Sequence, residues 1–153
     1  MTQLLALHAV VEASPEAVAG VLLDVRPGGR SPLAARGEIG QGETDQDEDD
    51  GDDRFVVVRQ GSRLTVTVDR AARSVAQEGE WWFRSVTAVE PDPRGSQVVH
   101  RIFNVAKGNA WAVRFVSRGP LNAAPGQFAE AVRRLGEELG VAAWVVEIGR
   151  AHV

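Results

Sequence analysis

The sequence predicts an α+β domain that combines a run of antiparallel strands with one long C-terminal helix. Three observations carry this. Residues 55–106 hold a series of short β-patterned runs separated by turn residues. Near the end, Phe128, Val132, Leu135 and Leu139 recur at helical spacing, i, i+4, i+7 and i+11. Ahead of both, an apolar run at 3–12 is followed at once by a helix start.

At 153 residues the chain fits one domain, and a domain of that size buries roughly 70% of the surface its unfolded form exposes. The domain is read as residues 1–147. A hydrophobic fraction of 44% against 25% charged places it with folded globular proteins, not with disordered ones. No apolar run approaches the roughly 20 residues that cross a bilayer. Residues 1–5 lack the basic stretch of a secretory signal, so no membrane span and a cytoplasmic location are expected. Lys107 is the only lysine beside abundant arginine, alanine and glycine, a composition that points to a high-GC bacterial genome. The last six residues, Ile148-Gly149-Arg150-Ala151-His152-Val153, read as the translation of a short-read sequencing adapter. They are expected to be foreign to the gene and are kept out of every site argument.

Residues 3–12 are apolar on both faces apart from His8 and predict a strand covered on both sides or one in a sheet centre. Ser14-Pro15-Glu16 then opens a helix: Ser14 caps free N–H groups, Pro15 fits the first helical position and Glu16 suits the positive helix end. Val18, Val21, Leu22 and Val25 give that helix its apolar side, Pro27-Gly28-Gly29 ends it, and residues 31–36 offer one more helical turn. Residues 37–53 are Gly-rich and then strongly acidic, with no apolar face to bury, which predicts a loop.

Phe55 to Arg59 and Arg63 to Asp69 predict a hairpin around Gln60-Gly61-Ser62, with Leu64, Val66 and Val68 on its inner face. Residues 73–78, 80–90 and 96–106 continue the β pattern, the last two joined by the turn Pro91-Asp92-Pro93-Arg94-Gly95. Residues 111–117 read as one more strand. The closing helix is expected from about Pro125 to Gly140, and residues 141–146 either extend it or pack as a terminal segment.

Two patches carry a family likeness. Glu80-Trp81-Trp82-Phe83-Arg84 with Val89-Glu90-Pro91, and Val99-His100-Arg101-Ile102-Phe103-Asn104-Val105-Ala106, resemble the paired central strands of the START-like (SRPBCC) superfamily, in its bacterial branch related to polyketide cyclases. The element order, covering roughly residues 3–140, is similar to the helix-grip fold of that superfamily, which implies a curved antiparallel sheet wrapped around the long C-terminal helix, with one or two short helices after the first strand. The resemblance implies a cavity between sheet and long helix, and with it the binding or carriage of a hydrophobic small molecule, such as a lipid, polyketide or isoprenoid. It implies also a second reading, an aromatase/cyclase-like enzyme. Because one fold hosts many functions, neither follows from the likeness alone.

Candidate residues come from period-two sorting of the two strands. Trp82, Arg84, Val86 and Ala88 share one face of the first, and Val98, His100, Ile102 and Asn104 share one face of the second. Trp82, Arg84, His100 and Asn104 are chosen as ligand-binding, since polar groups among apolar ones suit a wall that orients a ligand's oxygen atoms. Phe128, Val132 and Leu135 supply the helix side. A histidine beside an arginine suits acid/base work with oxyanion support. The chain has no tyrosine or cysteine, however, and so lacks the phenol that would polarise an enolate.

Other chemistries find no support. Asp45, Asp47 and Asp49 alternate as in an EF-hand loop, but Asp50 stands where glycine is needed and Val56 where a bidentate glutamate is needed. No spacing of histidines and carboxylates suggests a metal, no Gly-rich phosphate loop suggests a nucleotide, and no cofactor is expected. The net charge is −4 with scattered basic residues, which argues against nucleic acid as a partner. A third reading, from another class, is a protein-interaction module with a filled core.

Overall fold

The computed structural model describes residues 1–34, 38–39, 45–47, 52–59 and 61–150. The chain begins with β1 (Thr2–Val11), turns through Ser14 and enters α1 (Pro15–Leu22). The Ser14 hydroxyl accepts a hydrogen bond from the Ala17 N–H at 3.2 Å, with Pro15 in the first turn. The expected extra turn at 31–36 appears as a hydrogen-bonded turn from Ser31 to Ala34. Its last two residues lie outside the described ones.

The strands β2 (Glu38–Ile39), β3 (Asp45–Asp47), β4 (Asp52–Arg59), β5 (Ser62–Asp69), β6 (Ser74–Glu78), β7 (Phe83–Asp92) and β8 (Gly95–Asn104) follow. Within the segment expected as a loop, β2 and β3 are thus short strands, both pairing with β4. Pairing supplies the backbone hydrogen bonds that their side chains do not call for. The acidic run is also anchored at its end, where Arg26 donates to both carboxylate oxygens of Asp53 at 2.7 and 2.5 Å and lies over the Phe55 ring. The remaining residues of the run are outside the described ones.

After β8 comes a second correction. Residues 111–117, expected as a strand, form a 3-10 turn (Ala110–Ala112) and the one-turn helix α2 (Val113–Val116). The alternation of Trp111, Val113 and Phe115 imitates a strand. Burial follows the helical period instead, with Val113 and Ser117 inside and Trp111 and Phe115 outside.

The long helix α3 runs Arg118–Leu139 and so begins about two turns before Pro125. Pro120 is tolerated because the first-turn N–H groups have no partner within the helix, whereas Pro125 forgoes one backbone bond. Gly140, left-handed with φ 69°, stops it, and the Val141 N–H returns to the Gly136 carbonyl at 3.0 Å. The apolar segment beyond is a strand, β9 (Ala143–Arg150), lying antiparallel along β1. Ile148, Gly149 and Arg150 hold places on it opposite Leu7, Ala6 and Leu5.

All pairings are antiparallel and form one sheet in the order β2-β4-β5-β6-β7-β8-β1-β9, with β3 on β4. The inner face of β1 (Leu5, Leu7, Ala9, Val11), the apolar side of α1 and the residues Phe128, Val132 and Leu135 of α3 share one core. The turn from β7 to β8 is pinned against the end of β1. Ser96 Oγ donates to the Ala13 carbonyl at 2.7 Å, and a Cβ on Gly95 (φ 130°) would sit 2.8 Å from backbone atoms of Val11 and Ala13. This is an α+β helix-grip architecture, as the sequence predicts. Among the described residues no helix is long and apolar enough to cross a membrane.

Candidate functional site: a cavity under the first half of the long helix

Sheet and helix do not close on each other everywhere. A cavity of about 1130 Å³ lies between β4–β8 and the stretch Pro120–Arg134 of α3. Its origin is legible in the helix. Residues 118–131 hold eight Gly, Ala or Pro residues and only Leu121 and Phe128 as large apolar ones, while Val132, Leu135 and Leu139 follow. Small side chains cannot reach the curved sheet, so space is left over the strands facing Ala124, Phe128 and Ala131.

The sheet side of the cavity is laid by Val57, Leu64, Val66, Phe83, Ser85 and Ile102, with Trp82 and His100 among them. Arg63, Glu80, Glu130 and Arg134 are its charged members. Trp82 precedes β7 and is free of strand alternation, so it and Phe83 both turn inward and meet edge to face, ring centres 5.4 Å apart.

His100 is the polar centre of this wall. Its ring stacks on Phe128, 5.9 Å between centroids at 24°, and its Nδ1 shares a 2.7 Å hydrogen bond with the Thr87 hydroxyl. If the hydroxyl donates, the ring is the Nε2–H tautomer and presents a donor; if the ring donates, Nε2 presents an acceptor. No protein group partners Nε2 among the described residues, and no buried side-chain polar atom there is left unsatisfied, so Nε2 has accessible surface on the cavity side. The same reasoning places the Ser85 hydroxyl at the cavity surface. Burial lowers the pKa of His100 from 6.5 to about 4, and the ring is neutral at pH 7.

The residues singled out in the sequence divide. Trp82, His100 and Phe128 line the cavity. Val132 and Leu135 are buried in the core and are not in the lining. Asn104 ends β8, and its Oδ1 accepts from the Ala106 N–H at 3.0 Å; it is not in the lining. Arg84 is placed on the other face of the sheet, where it pairs with Glu78 at 3.5 Å.

The reason is register. Thr87 stands opposite His100 and Ser85 opposite Ile102, so the odd residues of β7 share a face with the even residues of β8. A face containing both Arg84 and His100 does not exist. The two-residue turn Pro93-Arg94, closed by Asp92 opposite Gly95, sets that parity. It is the signal in the sequence that would have selected Phe83, Ser85 and Thr87 as partners of His100.

No protein-family model matches the chain, and no curated protein matches it in sequence. Among solved structures, the KanY protein in solution is similar over 92% of this chain and 99% of that one, with a TM-score of 0.58 at 18% identity. TTHA0849 from Thermus thermophilus matches over 88% of this chain and 93% of that one (TM-score 0.40, 16% identity). Ara h 8.0201 matches over 88% and 96% (TM-score 0.47, 14% identity). The likeness to KanY shows the fold, the helix-grip architecture described above.

Proposed function

We propose that this protein binds a hydrophobic small molecule, of lipid, polyketide or isoprenoid type, without covalent chemistry, in the cavity beneath α3. The observation that carries this reading is the combination of a preformed cavity of about 1130 Å³ with one neutral histidine whose Nε2 faces it. That volume lies at or slightly above the roughly 300–1,000 Å³ usual for small-molecule sites, and the wall follows their pattern of apolar surface with few placed polar groups. Trp82, Phe83, Ile102 and Phe128 supply dispersion contact, and His100 with Ser85 meets the ligand's one hydroxyl or carbonyl.

The cyclase reading required His100 and Arg84 in one pocket, and their placement on opposite faces takes that pair away. The interaction-module reading required a filled core, and the cavity stands against it. Native mass spectrometry of gently purified protein tests the binding reading. A reproducible adduct, lost on denaturation, is expected. A bare mass after exposure to panels of lipids, isoprenoids and polyketides would contradict it.

A further inference from the structure

We infer that residues 105–118, which are hydrogen-bonded to the cavity-lining Trp81 and Trp82, dock on the surface of an anionic lipid bilayer. The segment is built inside out. Val113 and Ser117 bury one side of the turn entering α3, whereas Trp111, Phe115 and Val116 present large apolar side chains to solvent at 71%, 55% and 48% exposure. Trp111 and Phe115 are one turn apart and share a face. A monomer gains nothing by holding a tryptophan and a phenylalanine in water, and such a pairing marks a surface that meets another phase. Tryptophan in particular settles at the level of lipid headgroups.

Charge selects the occupant. The chain carries net −4, yet residues 93–129 contain no Asp or Glu at all while holding Arg94, Arg101, Lys107, Arg114 and Arg118. Lys107, Arg114 and Arg118 flank the exposed aromatics and are exposed. Among the described residues none of the three pairs with a carboxylate, and Arg114 lies over the Phe115 ring, 4.9 Å from its centre. Aromatic side chains at the centre with cations around them match an acidic headgroup layer over hydrocarbon.

The patch is joined to the cavity. Trp81, itself 41% exposed and part of the cavity lining, donates from Nε1 to the Gly108 carbonyl at 2.9 Å, and the Val105 N–H donates to the Trp82 carbonyl at 2.8 Å. Pro120 and Ala124, on the helix that the segment leads into, line the same cavity. A bilayer seated on Trp111 and Phe115 therefore lies beside residues that line the cavity. The docking itself stands whatever the cavity holds.

Co-sedimentation with vesicles tests it, comparing phosphatidylcholine alone with phosphatidylcholine mixed with phosphatidylglycerol. The unaltered protein is expected to pellet with the anionic vesicles, to be released by salt, and to remain in solution with the neutral ones. Trp111→Ser with Phe115→Ser is expected to lower binding about tenfold or more. Lys107→Gln with Arg114→Gln and Arg118→Gln should lower it roughly fivefold per charge and remove the salt dependence. Should the aromatic pair fail to fold by circular dichroism, Trp111→Ser alone, at the most exposed position, is read in the same way. Equal binding to both vesicles, no binding to either, or binding that both sets of variants leave unchanged would overturn the proposal.

Discussion

The two halves of α3 face the same sheet and do opposite things with it. Beyond Glu130, Val132 and Leu135 reach down between β1 and α1 and fill the space completely; each is at most 2% exposed. Up to Ala131, the short side chains of Ala124 and Ala131 and the bare Gly126 do not reach the strands, and Phe128 lies against His100 at the boundary. One half spends its side chains on stability, while the other leaves a hole lined by aromatic rings and a neutral histidine. A helix-grip domain thus sets the depth of its cavity by where along one helix the side chains become large.

Breaking the filled half has the largest expected effect. Leu135→Ala removes a fully buried side chain from the core and should cost about 3 kcal/mol, read from denaturant midpoints at constant m. Phe128→Ala, at the boundary, is expected to cost less, because its ring already borders empty space, and to weaken apolar-probe binding more than Leu135→Ala does.

The next effect belongs to His100. Its folded pKa of about 4 is below its unfolded value near 6.5, so the unfolded state takes up the proton first. The stability associated with the neutral ring is fully present above about pH 6.5 and is lost as pH falls towards 4, by up to about 3 kcal/mol. His100→Gln should lose correspondingly less between pH 7 and pH 4 than the unaltered protein, measured by denaturation at each pH. Parallel curves would show that burial does not hold the ring neutral.

The smallest effect is expected on the outer face. Arg84→Ala breaks a half-exposed pair with Glu78 and should change stability by less than about 0.5 kcal/mol, with probe binding unchanged. A loss of binding in that variant would return Arg84 to the site.

This contrast also explains what the sequence made legible. Strong local signals were readable: the Ser14-Pro15 helix start, the alternation of β5, the turn at Asp92–Gly95 and the stripe on α3. Trp111 to Ser117 misled because a short apolar alternation fits a strand and a single helical turn equally well. The start of α3 was hidden by Gly119 and Pro120, which break helices in their interior and are harmless in a first turn. Residues 141–146 gave no period by which to tell helix from strand. The site was half legible, since Trp82, His100 and Phe128 carry their chemistry in their residue types. Arg84 shows the limit: both faces of β7 mix apolar and polar residues, and only the pairing with β8 decides which one looks inward.

The account rests on the empty half of α3 being the binding half, and filling it is the most direct test. A fluorescent apolar probe titrated into the protein and into Ala124→Leu with Ala131→Leu would compare the cavity open and closed. The account predicts binding weakened by about tenfold or more, with stability kept or raised by about 1 kcal/mol as new apolar contacts form. Unchanged probe affinity in a folded, filled variant would place the binding surface elsewhere and contradict the account.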